Sequence, residues 1–133
     1  MPGSSLSKKL QIRPGMRLLI MNAPNDYIKA LGKLPEDIEI HNNPTGAFDF
    51  AHIFVSSIND LKNLSPKVLK TLEYDGVFWV SYPKKTSKIK TDISRDVGWD
   101  ILKKHGLRPV AAVSIDETWS ALRFRPIEKV KQR

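Results

Sequence analysis

Apolar positions along this chain fall alternately into short continuous runs and into stripes of helical period. RLLIMN (residues 17–22) is an unbroken apolar run launched by a Pro14-Gly15 turn, the signature of a strand covered on both faces. The period then changes. Over residues 23–34, Tyr27, Ile28 and Leu31 form a stripe, Asn22 or Asn25 stands where a cap belongs, and Gly32 closes the pattern, which predicts a helix. DIEIHN (37–42) alternates as a shorter second strand, NNPTGAFD is loop, and FAHIFVSS (50–57) is again continuously apolar, a third strand of central character. Ser57 with Asp60 resembles a capping box, Ser65-Pro66 has the cap-then-proline order of a helix restart, and Leu61, Leu64, Val68 and Leu72 line one helical face.

Tyr74-Asp75-Gly76 predicts a turn into a fourth strand, VFWVS (77–81). A lysine-rich loop follows, and the next helix is predicted to open at Thr91 and Asp92, to bury Ile93, Val97, Ile101 and Leu102, and to stop at His105-Gly106. Residues 108–115 form strand five. TWSALRFR (118–125) alternates as strand six, antiparallel to strand five because only Asp116-Glu117 and their neighbours join them. Strands alternating with helices, closed by a hairpin, predict one three-layer α/β domain over residues 10–126. Its sheet would be Rossmann-like, about six strands, mostly parallel with an antiparallel C-terminal hairpin strand. Residues 1–9 and 127–133 are expected to be flexible basic tails.

Composition adds bounds. A chain of 133 residues fits one core. It has no cysteine, which excludes a disulfide framework and a thiolate zinc site. No apolar run approaches the ~20 residues of a membrane span, and MPGSSLSKKL lacks the apolar stretch of a signal peptide, so the expectation is a cytoplasmic protein without a membrane partner. The net charge of +8 is unevenly placed: Lys8, Lys9 and Arg13 carry +3, four loop lysines +4, and Glu128, Lys129, Lys131 and Arg133 together +2, so the remainder carries −1. The basicity belongs to two ends and one loop.

In sheets of this kind ligands bind beyond the carboxyl ends of the strands. That edge would collect Asn22, Asn25, Asn42, Asn43, Ser56, Ser57, Ser81 and Tyr82. Beside them, Lys84, Lys85, Lys88 and Lys90 with Thr86, Ser87 and Thr91 would form an anion clamp at the N-terminus of the predicted helix. No GxxxxGK spacing supports a Walker loop, and a solvated lysine loop is the plain alternative. Helical spacing would let Arg95 bridge Asp92 and Asp96 on that edge, although capping of the helix accounts for them as well. Trp99 fits a packing role better than a stacking one.

The three histidines form no HxxxH or HxH pair, so a metal site is not expected. His52 reads as a hydrogen-bonded core residue, His105 as helix-end dipole chemistry, and only His41 falls at the presumed ligand edge. No Gly-x-Ser-x-Gly elbow accompanies them, and no catalytic residues are assigned. Trp119, Arg123 and Arg125 share a face of strand six. An outward-charged sheet edge is the plain reading of them, and a cation–π surface for a partner or for nucleic acid is the sharper one.

GVFWVSYPK, a helix ending in HGL, RPVAAVSID and TWSALRFR together resemble the C-terminal half of class I S-adenosylmethionine-dependent methyltransferases, over residues 50–125. SYPKK, TDISRD and SIDETWSALRFRP more closely resemble a small bacterial family described only as a domain of unknown function. The methyltransferase resemblance implies a sheet ordered two-one-three-four-six-five, with one helix-strand unit of the parent fold missing between Asn42 and Phe50. It also implies a cofactor site after strands one and two, where such enzymes carry a glycine-rich turn and a ribose-binding acid. Here strand one runs into Asn22-Ala23-Pro24-Asn25 and strand two into His41-Asn42-Asn43, with neither glycine nor acid, and Pro24 removes a backbone donor.

Three readings stand at this stage. The first is a non-catalytic or divergent domain binding a small anionic ligand or nucleotide at the sheet edge, with no cofactor. The second is a methyltransferase with a degenerate cofactor site in which Asn22, Asn42 and Ser56 substitute for the missing groups. The third is an interaction module for nucleic acid or an acidic protein.

Overall fold

The computed structural model describes residues 6–130. Six strands form one sheet in the order β2-β1-β3-β4-β6-β5. They are β1 (Arg17–Met21), β2 (Glu39–His41), β3 (Phe48–Phe54), β4 (Leu72–Pro83), β5 (Leu107–Ser114) and β6 (Trp119–Pro126). β2, β1, β3 and β4 are parallel neighbours, and β6 runs antiparallel to both β4 and β5. This is the predicted topology, including the inserted hairpin strand. The helices are α1 (Leu6–Lys9), α2 (Tyr27–Ala30), α3 (Ile58–Leu69) and α4 (Asp100–Lys104).

Alternation along the strands divides the core in two. Leu19, Ile53, Phe78, Val80 and Phe124 face α3 and α4. Leu18, Ile20, Phe50, Trp79 and Ala121 face the other way, onto Leu10 and Ile12 of the N-terminal segment and Tyr27 and Leu31 around α2. Ser57 caps α3 by accepting from the Asp60 N–H at 3.0 Å, as the capping pattern predicts. The reciprocal bond is displaced by one residue, with the N–H and hydroxyl of Ser56 both donating to Asp60 Oδ2 at 3.1 Å.

Several local expectations give way to tertiary contacts. Helix α2 is one turn rather than a helix over 23–34; Asn22 ends β1 at φ 60°, and Gly32, at φ 80°, closes the turn as expected. Ser65-Pro66 does not restart a helix. Pro66 lies inside an uninterrupted α3, where the buried Ser65 hydroxyl donates to the Leu61 carbonyl at 2.6 Å. The predicted turn at Tyr74-Asp75-Gly76 is instead a bulge within a twelve-residue β4, with Asp75 at φ 57° and pairing resuming from Phe48↔Leu72 to Phe50↔Val77. At residue 76 a Cβ would lie 2.8 Å from Leu72 Cδ1 and 3.0–3.1 Å from two backbone carbonyl oxygens, so only glycine fits the bulge.

The largest departure concerns residues 91–99, which are not helical; α4 begins at Asp100. Of the segments expected as tails, residues 6–9 form α1, whose Ser7 is buried and donates from its hydroxyl to Lys33 O at 3.0 Å, and Ile127–Lys129 form a 3-10 turn. The remaining tail residues, 1–5 and 131–133, lie outside the described part. No described helix is long and apolar enough to cross a membrane.

Candidate functional site

The loop from residue 84 to 98 is pinned at four points. The Lys84 N–H donates to Thr118 O at 2.7 Å, and its ammonium donates to Ser114 Oγ at 2.7 Å, so the loop starts against the β5–β6 connection. Asp92 Oδ1 accepts from the N–H of Ile58, the first residue of α3, at 2.7 Å. Ile93 is buried in the core, and the buried Trp99 donates its indole N–H to the carbonyls of Ser94 and Arg95 at 2.9 and 3.0 Å. Gly98, at φ 109°, makes the backbone reversal that brings these groups together. A helix over 91–99 would withdraw the Ser94 and Arg95 carbonyls into its own ladder and remove Asp92 from α3.

Between these pins, Lys85, Lys88 and Lys90 are exposed, and among the described residues none of the loop lysines forms an ion pair. An open groove of about 480 Å³ is lined by Lys84, Lys85, Ser87, Lys88, Lys90 and Thr91, among others. A neighbouring groove of about 280 Å³ shares Lys84, Lys85 and Ser94 and adds Tyr82, Thr86 and Arg95. Burial raises the pKa of the Tyr82 hydroxyl; the nearby Arg95 charge pulls it down and Asp96 pushes it up. Ser87 shapes the loop by donating its hydroxyl to Lys84 O at 2.7 Å.

Tyr82, Lys84, Lys85, Ser87, Asp92 and Arg95 therefore come together around the loop. Asp92 is committed to α3, and Arg95 bridges neither carboxylate, because the helical spacing it required is absent. The anion clamp consequently has no helix N-terminus behind it. Asp96 lies with Arg95 on a separate groove against β5. Ser81, expected at the edge, is fully buried. Trp99 packs edge-on to Tyr82 with ring centroids 5.5 Å apart, the packing role its sequence context favours.

Asn22, Asn42 and Ser56 lie apart from the loop grooves, at the ends of β1, β2 and β3. Asn22 and Asn42 are exposed, whereas Ser56 is occupied with Asp60. His41 does not reach toward the edge. Its ring lies 5.6 Å from that of Phe48, and Nε2 lies 3.4 Å from the Arg17 guanidinium and 3.3 Å from Glu39. Arg17 stacks over Phe48 at 4.8 Å.

His52 is the hydrogen-bonded core residue its apolar strand predicts, in a cluster whose partners the sequence did not indicate. His52 Nδ1 lies 2.6 Å from the Tyr27 hydroxyl, and Nε2 lies 2.6 Å from Ser81 Oγ, all three groups being buried. Burial lowers the His52 pKa to about 3 and raises that of Tyr27, so the ring is neutral and donates to one hydroxyl while accepting from the other. A Ser–His–Tyr chain has the order of a nucleophile relay, but with Ser81 and His52 at 0 % exposure no substrate reaches it. It satisfies polar groups in the core. The only sequence signal was a histidine within an apolar strand. Among the described residues no group of three or more His, Asp or Glu is placed to hold a metal ion.

Comparison with solved structures supplies the context for these positions. Over 88 % of this chain and 85 % of the other, the structure is similar to an S-adenosylmethionine-dependent methyltransferase from Aquifex aeolicus, with a TM-score of 0.58 and 12 % identity. The fold is Rossmann-like, of the methyltransferase type. The N-methyltransferase NodS from Bradyrhizobium japonicum WM9 is similar over 92 % of this chain and 89 % of its own, with a TM-score of 0.54 and 14 % identity. A protein of the NADB-Rossmann superfamily from Streptococcus agalactiae is similar over 95 % and 69 %, with a TM-score of 0.51 and 12 % identity. No protein-family model and no curated protein matches the chain. Identities this low carry the fold and no activity.

The residues at the implied cofactor edge do not fit the methyl donor. Asn22 adopts a left-handed φ that a glycine turn would use, but it carries a side chain that glycine would not, and Pro24 supplies no backbone N–H to the turn. The acid of β2 is Glu39, at the strand's start and 3.8 Å from Arg17, so no carboxylate stands at the strand's end to hold ribose hydroxyls.

Proposed function

We propose that this domain is a divergent methyltransferase-type fold that binds a small anionic ligand, of the phosphate or nucleotide class, in the grooves around Lys84 and Lys85. The observation that carries this reading is the contrast between a pinned loop and its free charges. Lys85, Lys88 and Lys90 are exposed and without ion pairs on a segment whose two flanks are fixed by Lys84, Asp92, Ile93 and Trp99. Held charges of one sign bind an anion with less ordering cost than the same charges on a free chain. The Thr91 hydroxyl, which accepts from the Ile93 N–H at 3.0 Å, keeps its O–H as a neutral donor on the same wall. Catalysis is no part of the proposal: Asp92, the carboxylate on these grooves, is engaged with the Ile58 N–H, and among the described residues no group of three or more His, Asp or Glu is placed to hold a metal ion.

A thermal-shift titration with pyrophosphate, nucleoside triphosphates and S-adenosylmethionine tests it. A ligand at 100 times its Kd stabilises by about 2.7 kcal/mol. Stabilisation by phosphates that disappears in Lys85→Ala/Lys88→Ala supports the reading. Stabilisation by the methyl donor alone would replace it with the methyltransferase reading.

A further inference from the structure

The face of the sheet opposite α3 and α4 carries a set of charges that the loop does not use. On β6, Arg123 pairs in register with Trp79 of β4 and Ala111 of β5, and Arg125 pairs with Arg108 of β5. Residues directly opposite across antiparallel strands share a face, so Arg108, Arg123 and Arg125 stand on the Trp79 side. The N-terminal segment is held on that side because the Trp79 indole N–H donates to Leu10 O at 2.9 Å. It brings Arg13 close to Arg123. Burial lowers the Arg123 pKa, the charges of Arg125 and Arg13 lower it further, and only Asp75 opposes them.

Four guanidinium groups from three segments thus stand on this side: Arg125 is neutralised by its bidentate pair to Asp75 at 3.0 and 2.7 Å, and Arg108 donates from one nitrogen to Leu107 O at 2.8 Å and Lys103 O at 3.5 Å while keeping its charge. Arg123 Nε is buried and has no hydrogen-bond partner among the described residues, so the charge of this side chain is not compensated there. β5 leaves this part of the sheet uncovered; Ala111 is exposed and Arg108 only half-buried. Lys8 and Lys9 of α1, on the same side, are exposed as well and extend the positive field.

We propose that this arginine face docks the phosphate backbone of nucleic acid. Guanidinium forks match phosphate oxygens bidentately. A protein partner would need an apolar centre to its interface, and the residue opposite Arg123 is only an alanine. Trp119 contributes no stacking platform, since its ring packs edge-on against Phe54 at 5.2 Å, so the contact is with phosphates and carries no base preference.

The test is fluorescence anisotropy of the full chain with a labelled oligonucleotide, single-stranded and duplex, across a salt series. Arg13, Arg108 and Arg123, which have no ion pair among the described residues, give a slope of log K against log[salt] of about −2 for a single strand and about −3 for a duplex. Arg13→Ala/Arg108→Ala should lose two contacts and reduce the single-strand slope to roughly −0.7, with the exposed Arg13→Ala alone as the variant least able to disturb folding. Lys62→Ala/Lys67→Ala, exposed on α3 across the sheet, should leave the slope unchanged, which separates this face from charge elsewhere on the surface. Absence of binding overturns the proposal, as does a slope insensitive to the arginine variants. A polyglutamate peptide binding as tightly and with the same slope would make the surface one for acidic protein and also overturn it.

Discussion

Asp92 and Ile58 lie 34 residues apart, and the carboxylate of the first accepts the backbone N–H of the second at 2.7 Å. An acid expected to open its own helix instead satisfies the first free donor of another. That exchange explains both why residues 91–99 stay irregular and why the lysine loop has a fixed end.

Replacing Asp92 therefore has a stability cost that a ligand-facing acid would not have. Asp92→Ala is expected to destabilise the domain by about 1 kcal/mol, the usual effect of losing an N-terminal cap. Urea unfolding should show a lowered midpoint at unchanged slope; an unshifted midpoint would mean that the bond contributes nothing.

The buried histidine sets an acid limit on stability. His52 has a folded pKa near 3, below its ordinary value near 6.5, so the unfolded chain binds a proton that the folded chain refuses. Stability is fully present above pH about 6.5 and falls at roughly 1.4 kcal/mol per unit as the pH drops from there toward 3. Unfolding midpoints between pH 7 and 5 should fall steeply for the wild type. His52→Gln, though less stable at pH 7, should lose that part of the slope, and equal slopes would show that His52 is not the group responsible.

At the bulge in β4, Gly76→Ala is expected to cost about 1–3 kcal/mol, because the added methyl comes within 3.0–3.1 Å of two backbone carbonyl oxygens and 2.8 Å of Leu72 Cδ1, so the bulge must shift to admit it. Thermal unfolding checks it. A neutral result would show that the bulge can be redrawn.

Arg125 holds the same bulge from across the sheet. Its hydrogen bonds, and secondarily its charge, keep the Asp75 carboxyl below the ordinary carboxylate range, while desolvation opposes them. The pair adds stability above the ordinary Asp pKa and loses it as the pH falls below that value. Both side chains are partly exposed, so Arg125→Ala should cost only about 1 kcal/mol at pH 7. A double-mutant cycle with Asp75→Ala measures the coupling, and a coupling near zero would assign the bidentate geometry no energetic role.

Removing the exposed lysines should act on binding alone. Lys85→Ala/Lys88→Ala is expected to leave the melting temperature of the free protein unchanged, because neither side chain has a partner to lose among the described residues. A large drop would mean that the loop depends on them for its fold.

The strand pattern by itself determined the sheet. Runs such as RLLIM and FAHIF are apolar on both faces, which only a central strand can bury, and the closing hairpin left too few residues for anything but antiparallel pairing. The capping signal at Ser57 and the stop at Gly32 were equally local, since each depends on backbone groups a few residues away. Tertiary structure decided the rest. Whether Asp92 opened a helix or capped another, whether Ser81 faced the edge or His52, and whether Arg13 joined Arg123 all depended on groups brought together from distant segments. Each involves a polar side chain with competing partners of similar energy, and burial of neighbours such as Ile93, Trp99 and Trp79 settles which partner is within reach.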